Sequence, residues 1–117
     1  MPSFSQLNVE DFYIRLNTET NKLILDVRPY RAFKKEHIPG SISVNDRKTL
    51  FTLTDTLDLE IYLFVYCDDY SRSLEVCQIL QEQSFQNIYM LNGGFIEWKK
   101  RKFEVYQKKS WLKKRNL

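Results

Sequence analysis

Apolar positions along the chain fall into compact runs separated by stretches of wider, helix-like spacing. Leu23 to Val27 (LILDV) is one such run, ended by Pro29, and Ile61 to Tyr66 (IYLFVY) is the strongest, being aromatic and β-branched. Unbroken apolar runs of this length predict strands buried on both faces, the habit of a parallel sheet. Ser41 to Val44 (SISV) and Ile88 to Leu91 (IYML) are two shorter strand candidates.

Helical spacing occupies the intervals. Asn8 can cap a helix that carries Glu10 and Asp11 in its first turn, where the helix dipole favours negative charge. Val9, Phe12, Ile14 and Leu16 supply that helix's apolar content. Tyr30 to Glu36 forms a short polar helix or turn, and Pro39-Gly40 punctuates the chain after it. Residues 45–60 are helical or irregular, with Leu50, Phe51, Leu53, Leu57 and Leu59 expected to be buried. From Ser73 to about Gln83, Leu74, Cys77 and Leu80 recur on one face. Gly93-Gly94 leads into a last helix bearing Phe95 and Trp98. Alternating strands and helices predict an α/β sheet with crossover helices.

Composition narrows the picture. At 117 residues with 43% hydrophobic content, the chain suits one domain with its own core. Residues 1–107 are expected to form that domain and 108–117 a basic tail. No apolar run approaches the ~20 residues of a membrane span. The start, MPSFSQLN, lacks the form of a secretory signal, so a cytoplasmic location is expected. Two cysteines and one histidine give no zinc spacing and no disulfide framework, and neither a metal nor another cofactor is expected. The net charge of +3 conceals an asymmetry. Residues 1–98 carry nine basic and fourteen acidic side chains, whereas residues 99–117 carry nine Lys/Arg against Glu104 alone. The basic end is by default a solvated helix end and terminus, and it leaves acidic partners open. Trp111 and Leu112 are its apolar anchors, but no base-reading motif accompanies them.

The chemistry concentrates where the strongest strand runs into Cys67-Asp68-Asp69-Tyr70-Ser71-Arg72 and then a helix. Ligands of open α/β sheets gather at the carboxyl ends of strands. Backbone N–H groups of residues 68–73 can converge there on the sulfur, and Arg72 can add a permanent positive charge. Both would lower the thiol pKa and enrich the nucleophilic thiolate. Cys77, on an apolar helix face, has a packing role instead.

The residues Leu25-Asp26-Val27-Arg28, His37-Ile38-Pro39-Gly40-Ser41, Val65-Tyr66-Cys67 with Arg72-Ser73, and Asn92-Gly93-Gly94 with Trp98 occur in an order and spacing that resembles a single-domain rhodanese. The resemblance implies a twisted parallel sheet of about five strands with helices on both faces. It also implies a sulfurtransferase in which Cys67 takes a sulfane sulfur as a persulfide and passes it to a thiophilic acceptor. Residues 68–72 would form the substrate-binding loop, with Asp26, Arg28, His37 and Ser73 in support. Asp26 and Arg28 are expected to pair or brace the loop, and His37 to hold the backbone. The partners are then a small sulfur donor and acceptor or a persulfide-carrying protein. Four residues between Cys67 and Arg72 make a sulfur-sized loop, one shorter than that of the related phosphatases.

Two features depart from the family's pattern. Tyr70 stands where Gly is common, and a left-handed backbone there would cost about 1–2 kcal/mol. Asp68 and Asp69 place carboxylates where the dianion thiosulfate would approach, which favours a protein persulfide or a thiol donor over thiosulfate. The other reading is a non-catalytic rhodanese-like binding or regulatory module.

Overall fold

The computed structural model describes residues 4–68 and 70–108. Five parallel strands form the main sheet: β1 (Ser5–Leu7), β2 (Lys22–Asp26), β4 (Ile42–Ser43), β5 (Tyr62–Tyr66) and β6 (Asn87–Leu91), in the order β1-β6-β5-β2-β4. Two short strands, β3 (Glu36–His37) and β7 (Tyr106–Gln107), pair antiparallel beside it. The helices are α1 (Val9–Thr18), α2 (Tyr30–Lys35), α3 (Arg47–Thr54), α4 (Ser71–Glu82) and α5 (Gly94–Lys100).

The central strand β5 shows why its sequence is apolar throughout. Leu63 and Val65 join one buried cluster with Leu50 of α3 and Val76, Cys77 and Leu80 of α4. Phe64 and Tyr66 join the opposite cluster with Phe12 of α1 and Phe95 and Trp98 of α5. Successive side chains point to opposite faces of a strand, so helices on both sides require both parities to be apolar. The α/β expectation, with helices on both faces of a five-stranded parallel sheet, is met.

Side-chain caps begin two helices, the one at Asn8 as the sequence suggests and a second at Asp46 that the sequence reading did not assign. Asn8 Oδ1 accepts the Asp11 N–H at 2.8 Å, and Asp46 Oδ1 accepts that of Thr49 at 2.7 Å. Each satisfies one of the orphan donors of a first turn.

Several expectations are corrected. Ile14 lies on the solvent face of α1 with 61% of its surface exposed, because the 3.6-residue period turns it away from Phe12 and Leu16. Phe51 is exposed rather than buried, since α3 presents Leu50 and Thr54 to the core, and Leu59, in the turn before β5, is exposed as well. The helix after Cys67 begins at Ser71, and the SISV strand is confined to Ile42–Ser43. Tyr70 has φ −157°, so it avoids the left-handed region and carries none of the strain a Gly-like conformation would impose. Asp69 and residues 109–117, with Trp111 and Leu112, lie outside the described residues. No helix among the described residues is long and apolar enough to cross a membrane.

Candidate functional site

Parallel register builds the site. Asp26, the last residue of β2, is the register partner of Tyr66, the last residue of β5. The chain leaves both strands at the same edge of the sheet, so Val27-Arg28-Pro29 and Cys67-Asp68 emerge side by side. A cavity of about 240 Å³ opens there, lined by Arg28, Pro29, Cys67, Asp68, Ser71 and Arg72. Cys67 is 3% exposed and sits at its wall. The N-terminus of α4 faces the same space. Among the described residues its first backbone bond of the i→i−4 kind runs from Leu74 N–H to Tyr70 C=O, and the amides of a helix's first turn have no acceptor within the helix. Such a terminus favours negative charge nearby.

A buried ionic network lies behind the cavity. Asp26 is fully buried, and its Oδ1 accepts the Arg28 backbone N–H at 2.9 Å and Nε–H at 3.1 Å. Its Oδ2 accepts Arg28 Nη2 at 2.7 Å and the Tyr66 hydroxyl at 2.5 Å. The Tyr66 hydroxyl in turn accepts the Ile38 N–H at 3.0 Å and lies 3.1 Å from Ser41 Oγ. Arg28 Nη2 also donates to the Glu36 carbonyl at 2.6 Å, and its guanidinium lies 4.2 Å from the centre of the Phe95 ring. The network thus ties the LDVR segment, the HIPGS turn, the end of β5 and the start of α5 into one unit. Burial alone would lower the Arg28 pKa. The hydrogen bonds and charge of Asp26, with Tyr66 and Asp68, outweigh that and raise it. Burial first, then the Asp26 charge, pushes the Tyr66 phenol well above its ordinary range. Both groups hold their protons under all ordinary conditions.

Two guanidinium groups set the electrostatics of the cavity. Arg28 has its positive charge largely committed to Asp26. Its remaining Nη1 lies 3.9 Å from Asp68 Oδ1, whose side chain is 62% exposed. Arg72 lines the cavity and directs Nη1 at the Val27 carbonyl, 3.4 Å away.

A second turn closes on the cysteine from α5. Phe95 N–H donates to the Cys67 carbonyl at 2.8 Å. Gly94 has φ +64°, and a Cβ there would fall 2.3 Å from the Asp68 carbonyl oxygen and 2.6 Å from that of Cys67. Only a residue without a side chain permits this approach.

The structure brings Cys67, Asp68, Ser71, Arg72 and Arg28 around one cavity, with Asp26 directly behind. It keeps His37 apart: its ring stacks between Phe33 and Tyr106 at centroid distances of 3.9 and 4.6 Å, and Nδ1 meets the Phe33 carbonyl at 2.7 Å. Ser73 is fully buried, and its hydroxyl has no hydrogen-bond partner among the described residues. Cys77 is fully buried, and burial followed by the neighbouring Cys67 raises its thiol pKa beyond the ordinary range. Tyr66, Phe95 and Pro29 carry parts of the site that sequence reasoning did not assign. The parity of Tyr66 with Asp26 at matching strand ends is the signal that could have found the first.

The rhodanese-like domain family matches residues 8–101. The chain belongs to that family. It is 31% identical over 98 residues to the thiosulfate sulfurtransferase GlpE of Shewanella oneidensis, a match covering 84% of this chain and 95% of that relative. Among solved structures, the rhodanese-like domain of the Alr3790 protein from Anabaena superposes with a TM-score of 0.78 at 21% identity, covering 92% of this chain and 80% of that one. A rhodanese-related protein from Thermoplasma volcanium gives 0.74 at 21% identity, over 89% and 99% of the respective chains. These likenesses bear on the fold, and the rhodanese-like fold is common to all of them.

Proposed function

We propose that this rhodanese-like domain is a sulfurtransferase that carries a sulfane sulfur on Cys67 as a persulfide. The observation that carries this reading is the position of Cys67, at the wall of a small cavity it shares with Arg72, Arg28 and the N-terminus of α4. The cavity gathers guanidinium groups and a helix N-terminus beside Cys67, and preorganised donors of this kind stabilise the anionic sulfur species formed during transfer. Membership of the rhodanese-like family and the likeness to a thiosulfate sulfurtransferase support the same chemistry.

In the first half-reaction the Cys67 thiolate attacks the sulfane sulfur of a donor R–S–SH. The donor's S–S bond breaks, and R–S⁻ leaves. The sulfur remains on the enzyme as Cys67–S–SH, and no external oxidant or reductant is consumed. The donor we infer is a persulfide on a protein or a small thiol. Thiosulfate is a dianion, and of the two guanidinium groups at this cavity Arg28 is committed to Asp26, which leaves Arg72 alone against the Asp68 carboxylate in the lining. A persulfide presents at most one negative charge and meets less repulsion. A reducing, cytoplasmic compartment suits the reaction, because Cys67 must be a free thiol.

The test is mass spectrometry of the full chain and of Cys67→Ser after exposure to thiosulfate and to glutathione persulfide. One added sulfur atom on Cys67 with the persulfide donor, and little with thiosulfate, is the expected result. No added sulfur on Cys67 with either donor would refute the catalytic reading. Rapid loading by thiosulfate would refute the donor assignment.

A further inference from the structure

A second cavity adjoins the first and is not used by the loading step. It has a volume of about 140 Å³, and its floor is formed by the side chains of Val27, Val44, Leu50, Val76 and Ile79, all buried. Its rim is charged, with Asn45, Asp46 and Arg47 at the start of α3 and Arg72 and Glu75 on α4. Arg72 lines both cavities, so the two chambers are neighbours at that residue. The Val27 carbonyl accepts Nη1 of its guanidinium.

The rim charges are unlike those of the cysteine chamber. Asp46 is engaged as the cap of α3, and the Thr49 N–H at 2.7 Å holds its carboxyl below the ordinary range. Arg47 and Glu75 are exposed and form no ion pair among the described residues. The cleft therefore presents a carboxylate in Glu75 and guanidinium groups in Arg47 and Arg72 above an aliphatic floor. A ligand matching this arrangement carries one ammonium, one carboxylate and a short apolar stem. An inorganic anion would meet Glu75 and Asp46, and a neutral apolar ligand would leave the rim charges unanswered.

We propose that this cleft is the acceptor subsite and that it takes a low-molecular-weight thiol with an amino-acid head. The proposal rests on the sulfur-transfer reading for its chemistry. Arg47 and Arg72 hold the carboxylate, Glu75 holds the ammonium, and the thiol extends past Arg72 towards Cys67. The acceptor first loses its proton to solvent. Its thiolate then attacks the outer sulfur of Cys67–S–SH, the S–S bond breaks, and Cys67 leaves as a thiolate. The product is the acceptor's hydropersulfide, and charge and atoms balance without a further reactant.

Two measurements test it. In the first, the full unmodified chain is titrated with S-methyl-L-cysteine, which cannot accept sulfur, while backbone amide resonances are followed. Saturable shifts at residues 45–47 and 75–76 are expected, weakened about tenfold in Glu75→Gln and in Arg47→Ala, as loss of a charge-assisted bond implies. Absence of saturable shifts there overturns the proposal. In the second, persulfide-loaded protein is discharged by L-cysteine and by 2-mercaptoethanol. Glu75→Gln should slow discharge by cysteine about tenfold and leave 2-mercaptoethanol unchanged. Equal effects on both thiols overturn the proposal. Failure of Cys67 to load sulfur at all is a separate result, which refutes the sulfur-transfer reading while the titration still decides whether the cleft binds the amino-acid head.

Discussion

Tyr66→Phe removes one oxygen atom from the centre of the buried network and leaves the ring in place. The ring keeps its packing beside Phe95, at a centroid distance of 5.7 Å. Three interactions end at the hydroxyl: it donates to Asp26 Oδ2, accepts the Ile38 N–H, and meets Ser41 Oγ. Ile38 is 1% exposed, so its N–H is left without an acceptor, at a cost of about 1–3 kcal/mol. A hydrogen bond to a charged group contributes about 1.5–3 kcal/mol, but Asp26 keeps its bonds from Arg28, which places this loss at the lower end. Together these give a destabilisation of about 3 kcal/mol. For a domain of this size that corresponds to a fall in Tm of about 12 °C. Urea unfolding followed by fluorescence measures it: the midpoint should fall while the m-value stays constant. The double variant with Asp26→Asn should cost less than the two single changes added together, because both lose the same hydrogen bond. A loss below about 1 kcal/mol for Tyr66→Phe would refute the argument, since it would mean that the freed Ile38 N–H finds another partner without cost.

Asp68→Asn should raise kcat/KM for thiosulfate about tenfold: at ~6 Å and the dielectric of water, one unit charge repels a dianion by about 1.4 kcal/mol. No gain in a thiosulfate:cyanide assay would count against the electrostatic account of donor choice. Gly94→Ala should destabilise the fold far more than Gly40→Ala. Both have positive φ, at +64° and +83°, but only the former places a Cβ against the Asp68 and Cys67 carbonyls, whereas Gly40 has open space around it. Gly40→Ala should therefore cost only the ~1–2 kcal/mol of left-handed strain, and equal losses in denaturant melts would refute the close-approach argument. Iodoacetamide at pH 8 should leave Cys77 unmodified in the folded protein, because burial raises its thiol pKa and so suppresses the thiolate. Labelling of Cys77 at the rate of a free thiol would contradict this. Glu36 has a depressed pKa, caused first by its hydrogen bond from Lys99, so its contribution to stability is present above its ordinary value of 4.5 and is lost as pH falls through its folded value. Glu36→Gln should accordingly flatten the acid limb of a stability profile, and an unchanged limb would show that the pair contributes nothing.

How much was legible in the sequence depended on whether a feature was local. β2 and β5 announced themselves because both faces of the sheet are covered, which demands consecutive apolar residues. β1 gave no such signal: Ser5-Gln6-Leu7 is an edge strand of three residues, two of them exposed, and β6 fixes it through backbone pairing. The β3–β7 pairing joins segments some seventy positions apart through two residues each, and no periodicity survives at that length. At the candidate site, Cys67 and Arg72 could be singled out because residue type alone suggests a chemistry for them, and the structure places both on one cavity. The Asp26–Arg28 pair was legible as well, two positions apart at a strand end.

The role of Tyr66 was not legible from a single strand, because an aromatic residue in an apolar run is accounted for by burial alone. Its hydroxyl acquires a function only when parallel register sets it beside Asp26 and the HIPGS turn folds over both. Gly94 shows the same dependence. Its neighbour Gly93 already explains a tight turn after β6, with φ +80°, so a second glycine looks redundant until the cysteine loop is seen to occupy the space a Cβ would need. The motifs that flank the cysteine therefore act chiefly as supports: the buried network fixes β2 against β5 from one side, and Gly94 admits α5 from another. Cys67 is held between them by its own carbonyl, which accepts the Phe95 N–H, and the same residue lines the cavity of the proposed site.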